Sequence, residues 1–430
     1  MTHPRRQPHS GCMAVVLAAG LLTQGASAWA MDVVMSGFGT LGYAISDKSY
    51  HYQRFIDDGG TFKRDTVLGA QADVKLAPQW SATGQVMVAP SLGNDDDWSL
   101  TTAWAFLSWR PSNDWLLRLG KQRVPLYLNA ENRAVGQTYD FARLPVEVYS
   151  ISPSTDLTGL YVSRTWSPEL GEVTLDTFAG GAGLKARAYS RDAGAVFLPV
   201  HTDVIGAALT LRMEASTWRA SYHHTTTRLI GGQGLPSHYP YVAAAGYYQV
   251  DDRQFGPGVA YAPHIVNDVI ILSGDIEVLP RWRVVSELAR NIQMRTENGA
   301  NTAGGYVAVL HKMGGFTPYV SYARLRSMGA SVDVVRQLDA SVLPNGVLSP
   351  EDTARLNMSQ RFAADIVQVY DQDTFALGTS FALTPQSKLK AEWARTRIGN
   401  RSAMVDSPMG GDVVRRERIN VLSLNYSFAY

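Results

Sequence analysis

Cysteine is nearly missing: Cys12 is the only one in 430 residues. It lies ahead of the N-terminal apolar run, where a lipoprotein cysteine would follow it. Once a leader is removed, an exported chain of this kind would have no thiol and no disulfide framework. Charge of one sign is lacking too, with 39 lysines and arginines against 38 acidic residues. No basic block offers a footprint for nucleic acid. Past residue 30, no apolar run approaches the roughly 18 residues a membrane helix needs. A soluble chain of about 400 residues would ordinarily split into two or three domains, yet no linker, low-complexity tract or charge block divides this one.

What is present begins with a leader. Arg5 and Arg6 precede the apolar run MAVVLAAGLL (Met13 to Leu22), and the small residues ASAWA (Ala26 to Ala30) follow. That order is the layout of a secretory signal peptide. Its apolar part, about ten residues, is too short to span a bilayer. Residues 1–30 are therefore expected to be the signal, cut after Ala28 or, preferably, Ala30. Residues 31–430 are then expected to form one domain, with 37 basic and 38 acidic residues.

The rest of the chain alternates. In LGAQADVKLAPQWSATGQVMV (Leu68 to Val88), Leu68, Ala70, Ala72, Val74 and Leu76 point one way, and Gln71, Asp73 and Lys75 the other. After Ala77-Pro78-Gln79 the pattern resumes. Period two predicts strands, and a tight proline turn between two such runs predicts a hairpin. Further short turns are expected at 111–114, 167–171, 214–216, 279–281, 313–315 and 384–386. Trp80, Trp115, Trp218 and Trp282 each follow a turn closely, where an interfacial aromatic girdle would lie. Between the hairpins run long polar connections, among them Ser91 to Ser99, Thr225 to Asn267 and Ser327 to Tyr370. Seven turns join fourteen strands; a first strand near Val33 to Ile45 and a last near Glu417 to Tyr430 bring the total to about sixteen. One face of these strands is lipid-like (Ile205, Ala207, Leu209, Leu211; Ile270, Leu272, Ile276, Val278), while the other carries charge (Arg212; Asp275, Glu277). The expected fold is all-β: a transmembrane antiparallel barrel of about 16 strands with short periplasmic turns and long extracellular loops.

The last nine residues, LSLNYSFAY, put Leu422, Leu424, Tyr426, Phe428 and Tyr430 on alternate positions. A closing strand can expose such a face, because lipid covers it and both edges pair. This ending resembles that of outer-membrane proteins of Gram-negative bacteria, and the resemblance implies that these five residues are read by the assembly machinery. About sixteen strands leave an aqueous channel, where eight would be filled by side chains.

Arg118 to Ser150 reads RLGKQRVPLYLNAENRAVGQTYDFARLPVEVYS. Its R-L-G-K…P-L-Y and D-F-A-R-L-P-V-E-V-Y segments resemble those of general proteobacterial porins, with Leu144 standing where related chains often carry a proline. The resemblance implies a third loop, within residues 118–155, folded into the pore as a constriction, and a homotrimer. It also implies passive diffusion of small solutes and ions, with outer-membrane lipid and lipopolysaccharide as surroundings and no cofactor. Charges near this loop are candidates for setting the field in a narrow, low-dielectric channel. They are Arg118, Lys121, Arg123, Arg133 and Arg143, with Glu131, Asp140 and Glu147, a mild lean toward anions. Arg212, Arg219, Arg283, Lys388 and Lys390, opposed by Asp275 and Glu277, are candidates on the wall; for each, a stiffening ion pair is the competing role.

Tyr127, Tyr139 and Tyr149 are expected to pack the loop rather than form a sugar-stacking track. Asn94 to Asp97 (NDDD) could bind a divalent cation, but reads more plainly as a solvated acidic tip or a cation bridge to lipopolysaccharide. His223 and His224 face opposite sides of a strand and so cannot easily share a metal; rim positions are expected for both. No spacing assembles a catalytic set from the histidines and acids, which leaves barrel enzyme and adhesin as the weaker readings. A substrate-selective channel for phosphate, another anion or a sugar acid is the main alternative to a general pore.

Overall fold

The structure, a computed structural model, describes residues 32–152, 155–232, 234–250, 258–297, 299–346 and 348–430. The expected signal peptide lies outside the described residues. Sixteen strands close into one antiparallel barrel. In chain order they begin with β1 (Asp32–Ser46), β2 (Val67–Ala77), β3 (Trp80–Pro90), β4 (Trp98–Ser112), β5 (Trp115–Arg123), β6 (Asp156–Trp166), β7 (Glu172–Ser190), β8 (Gly194–Met213) and β9 (Ser216–Leu229). Four short strands stand apart from the wall: β10 (Leu235–His238), β11 (Tyr241–Val242), β12 (Tyr247–Tyr248) and β13 (Ala260–Ala262). The wall resumes with β14 (Ile265–Leu279), β15 (Trp282–Met294), β16 (Thr302–His311), β17 (Phe316–Ser327), β18 (Tyr370–Thr384), β19 (Ser387–Ser402) and β20 (Arg418–Ala429).

Each wall strand pairs with its neighbour in sequence, and β20 pairs back onto β1, with Leu41 opposite Tyr426 and Tyr43 opposite Leu424. Closure leaves no edge with unpaired backbone groups, which is what lets a sheet stand in hydrocarbon. The seven tight turns fall at one end of the barrel, as alternation and turn residues predict. The β2–β3 hairpin keeps the expected faces, with Ala72 opposite Gly84 and Val74 opposite Ala82.

The outward face is apolar around the barrel: Leu68, Leu119, Leu160, Ile205, Leu272, Leu288, Leu377 and Leu422 are all exposed. Such a belt is solvated by acyl chains. Aromatic side chains ring its tight-turn end, with Trp80 stacked on Trp109 at 5.7 Å and Phe316 against Phe381 at 4.4 Å. The guanidinium of Arg164 lies over Trp115 and Trp166. Inside, polar residues bond along the wall: Thr83 Oγ1 donates to Asp73 at 2.6 Å, and Gln85 Nε2 to Gln71 at 2.8 Å.

The two longest outer connections carry structure of their own. Strand β9 runs on to Leu229 and β14 starts at Ile265, so the expected loop from Thr225 to Asn267 shortens to 230–264, and its described part folds into two small sheets, β10–β13 and β11–β12. The connection 328–369 holds two helices, α2 (Ala330–Ala340) and α3 (Pro350–Ile366). Ser349 caps α3 by accepting from Asp352 N at 3.1 Å, and Pro350 occupies the first turn, where its missing N–H costs nothing.

Candidate functional site

The connection between β5 and β6 does not lie on the rim. It turns into the lumen and crosses it. Its apolar residues explain why: Val124, Leu126, Tyr127, Phe141, Leu144, Val148, Tyr149 and Ile151 are all buried. They form one core with inward residues of β6, β7 and β14–β17, among them Tyr161, Phe178, Val269, Ile271, Val285, Tyr306, Tyr319 and Leu325. Burying each such side chain is worth roughly 1.5–3 kcal/mol. Tyr127 stacks on Tyr149 with ring centroids 4.6 Å apart, so these two tyrosines pack the loop. Leu144 fills this same core, and Pro145 after it starts a single helical turn, α1 (Val146–Tyr149).

Polar anchors hold the loop in register. Glu287 on β15 accepts from Leu128 N (3.0 Å) and Tyr149 Oη (2.7 Å) of the loop, and from Ser273 Oγ (2.8 Å) and Tyr306 Oη (3.0 Å) of the wall. Glu147 accepts from Gln372 Nε2 at 2.8 Å and Thr374 Oγ1 at 2.5 Å. Arg219 donates to the Tyr127 carbonyl at 2.5 Å. Lys390 donates to the carbonyls of Gly136 and Phe141 and lies over the Tyr139 ring. Asn425 Nδ2 donates to Ala142 O at 2.7 Å.

Gly304 lets α1 lie flat on β16: a Cβ there would stand 2.2 Å from the Glu147 carbonyl oxygen and 2.7 Å from Ile151 Cδ1. Gly304→Ala is expected to cost about 1–3 kcal/mol as overpacking. Faster cleavage of the loop by protease, with the barrel's melting unchanged, checks this.

The loop covers the far wall and leaves the β2–β5 side open. Along that side lies a cavity of about 700 Å³. A smaller one, of about 230 Å³, sits toward the tight turns and is lined by Asp73, Arg110 and Arg118, among others. The larger cavity is lined by nine basic residues: Arg54, Lys63, Arg64, Lys121, Arg123, Arg133, Arg143, Arg187 and Lys390. Among the described residues only two acids, Asp65 and Asp156, join them. Both acids are engaged. Asp65 takes a two-pronged contact from Arg143, 3.0 Å to Nε and 2.5 Å to Nη2, and Asp156 lies 3.1 Å from Arg123 Nε. Arg64 donates to Gln53 Oε1 at 3.1 Å and stands 4.0 Å from Asp65. Lys121 and Arg133 make no ion pair among the described residues.

These surroundings shift the ionisable groups. Burial, then the neighbouring Arg143 charge, push Arg64 down to about 10. Burial, then Arg123, lower Arg133. At about 10, Arg64 is a cation at neutral pH, and a guanidinium such as that of Arg133 keeps its proton in a protein. Burial works to raise Asp65, but the Arg143 pair outweighs it and holds the carboxyl below its usual range. A depressed carboxylate gives its stabilisation above the unfolded pKa and loses it only as pH falls through the folded value. The Asp65–Arg143 pair is therefore expected to survive acidification to about pH 4. The cavity's net positive charge should hold steady to that point, then rise further as Asp65 protonates; reversal potentials across a pH series check it.

Placement of the sequence candidates sorts them. Lys121, Arg123, Arg133 and Arg143 line the open cavity. Arg118 lies lower, between the Phe106 and Tyr161 rings and 3.6 Å from Glu131. Glu147 and Asp140 do not face the basic residues across open water, as the sequence suggested. Glu147 is 2% exposed, and Asp140 is tied to Lys388 (2.9 Å), Ser380 Oγ (2.8 Å) and Arg283 (3.5 Å). Arg283 is held by Asp275 as well. Arg219 and Lys390 anchor the loop. Arg212 pairs with Glu172 at 2.9 Å near the tight turns, where Glu277 accepts from Arg281 N.

Two further expectations need correcting. Asp95 is not a solvated tip: it turns inward between Arg54 and Arg187. His223 is not at the rim: it is fully buried beneath the inward loop, 3.2 Å from Ser152 Oγ, while His224 faces outward to Asp268. Sequence reasoning missed Arg54, Lys63, Arg64 and Asp65. They belong to the first outer connection, RFIDDGGTFKRD, and no spacing rule ties that segment to the lumen. Glu287 was missed for a similar reason, since one inward acid among many gives no sign of four donors converging on it.

The geometry is that of a transmembrane barrel narrowed by its own loop. Solved structures share this fold at low identity. An anion-selective porin from Comamonas acidovorans superposes with a TM-score of 0.52 at 11% identity, covering 93% of this chain and 100% of that one. OmpT, an outer membrane protein of Vibrio cholerae, in its trimer form gives 0.52 at 9% identity, covering 93% and 99%. OprB of Pseudomonas putida gives 0.50 at 10% identity, covering 93% and 94%. No protein-family model matches the chain, and no curated protein matches it in sequence.

Proposed function

We propose that this chain is an outer-membrane porin: a water-filled channel through which small hydrophilic solutes and ions diffuse passively, with anions favoured. The observation that carries this reading is the open cavity beside the inward loop, with nine basic residues against two engaged acids. Fixed charge of one sign in a narrow gap with low-dielectric walls concentrates the opposite ion. The similarity in fold to porins, one of them anion-selective, supports the same reading. The chain acts without a cofactor and catalyses no reaction.

In this account residues 1–30 direct export, and the alternating Leu422, Leu424, Tyr426, Phe428 and Tyr430 present the final strand to the assembly machinery of a Gram-negative outer membrane. The tight turns face the periplasm and the long loops face outward. Three copies assemble, as the trimeric form of the Vibrio protein suggests.

Single-channel recording in planar bilayers tests the proposal. Open steps in threes, with conductance rising linearly with salt, are expected of a general porin. Conductance that saturates at low salt would favour the second reading, a substrate-selective anion channel, which the arginine-rich cavity also supports. No steps at all would overturn both.

A further inference from the structure

We propose that the outward face of β17–β20 is a binding site for the phosphate groups of an acylated outer-leaflet lipid. Five arginines stand there: Arg324 and Arg326 near the end of β17, Arg395 and Arg397 in the outer half of β19, and Arg418 at the start of β20. All five are exposed. Strand pairing brings them together, with Arg397 opposite Arg418 on one side and Asp373 on the other, and Asp373 opposite Arg324.

The charge is not neutralised. Arg326 lies 3.3 Å from Asp371, whereas Arg324, Arg395, Arg397 and Arg418 make no ion pair among the described residues. Counting Asp371 and Asp373, five cations face two anions. Outward charges on another face are settled differently. On β8, β9 and β14, Arg228 pairs with Asp203 at 2.6 Å and His224 with Asp268 at 2.9 Å. The β17–β20 face thus offers unpaired guanidinium groups, the side chain best matched to phosphate oxygens.

Position selects a lipid as the occupant. Directly below the arginines the same face is apolar, with Tyr322, Phe375, Leu377, Leu422 and Leu424 exposed. From Arg418 to Phe428 in the aromatic girdle is ten residues along β20, or about 25 Å of height at ~3.3 Å per residue and a ~40° tilt, which equals the apolar band of such barrels. The arginines therefore stand where head groups begin, with acyl chains accommodated below. In a closed ring of three each interface joins two different patches, so a neighbouring copy of the chain is the rival occupant, and the subunit number read in the test below decides between the two.

The leaflet assignment rests on the reading that the long loops face outward. Native mass spectrometry of the full-length protein, released from vesicles containing bisphosphorylated or dephosphorylated lipid A, tests the site. The expected result is retention of the bisphosphorylated form at least tenfold above the dephosphorylated form. R395S/R397S/R418S should lose that preference, and R395K/R397K/R418K should largely keep it. Both variants should show unchanged heat-modifiable gel mobility if the barrel folds. Equal retention by wild type and the serine variant would overturn the proposal, as would a change in subunit number with lipid retention intact. An epitope inserted between α2 and α3 reads orientation separately. If intact cells do not display it, the leaflet assignment falls even if the vesicle result holds; if they do and the serine variant still binds, the site falls and the orientation stands.

Discussion

Glu287→Ala is expected to release the inward loop and convert a steady channel into a wider, flickering one. The carboxylate is fully buried and receives four hydrogen bonds, two from the loop and two from the wall. Removing it leaves the Leu128 N–H and three hydroxyls facing one another in a space closed to water. Each unsatisfied donor costs about 1–3 kcal/mol, and the two on the loop can recover that energy only by moving into the lumen. The apolar contacts of Leu126, Tyr127 and Tyr149 resist, but those side chains are covered by the same segment that the carboxylate pins. A several-fold rise in single-channel conductance, with gating noise, is expected while the barrel's own stability barely changes. Conductance and noise equal to wild type would mean that apolar packing alone seats the loop.

The second large effect is on selectivity. Replacing Arg64 and Arg133 together by glutamate should abolish the proposed preference for anions and move the reversal potential toward that of a cation channel. These two are chosen because Arg133 makes no ion pair among the described residues and Arg64 stands only 4.0 Å from an acid that Arg143 already holds. Arg143 and Arg123 are each engaged with an acid, and Arg54 and Arg187 share Asp95. Two reversals change the fixed charge by four. Even in bulk water a unit charge at 4 Å is worth about 1 kcal/mol, and 1.4 kcal/mol is a factor of ten, so at least a tenfold change in the permeability ratio is expected. Arg143→Ala should do less, since it changes the fixed charge by one instead of four. If Arg143→Ala matched the double variant, the charge of the pore would lie with the loop's paired arginine instead.

The barrel was legible in the sequence because its physics is local. Alternation in Leu68 to Val88, a proline in the turn and tryptophan just after it suffice to predict the β2–β3 hairpin; of the seven tight turns in all, five hold a proline and four are followed closely by tryptophan. The two helices in 328–369 were not foreseen, although Ser349, Pro350 and Asp352 carry an N-terminal signal for α3. The site was half legible. The arginine-rich third loop stood out, but which of its charges meet water depends on contacts between residues far apart in the chain. Glu147 finds Gln372, Asp140 finds Lys388, and Arg143 finds Asp65, and no pattern in the sequence announces such partners.

The most direct test of the account is the zero-current potential of the wild-type channel in a planar bilayer under a tenfold potassium chloride gradient. A basic passage predicts a potential of the sign set by chloride moving more freely than potassium, shrinking as total salt rises and screening shortens. A potential of the opposite sign, or one of zero at every salt concentration, would contradict the claim that the arginine-lined cavity is the path ions take.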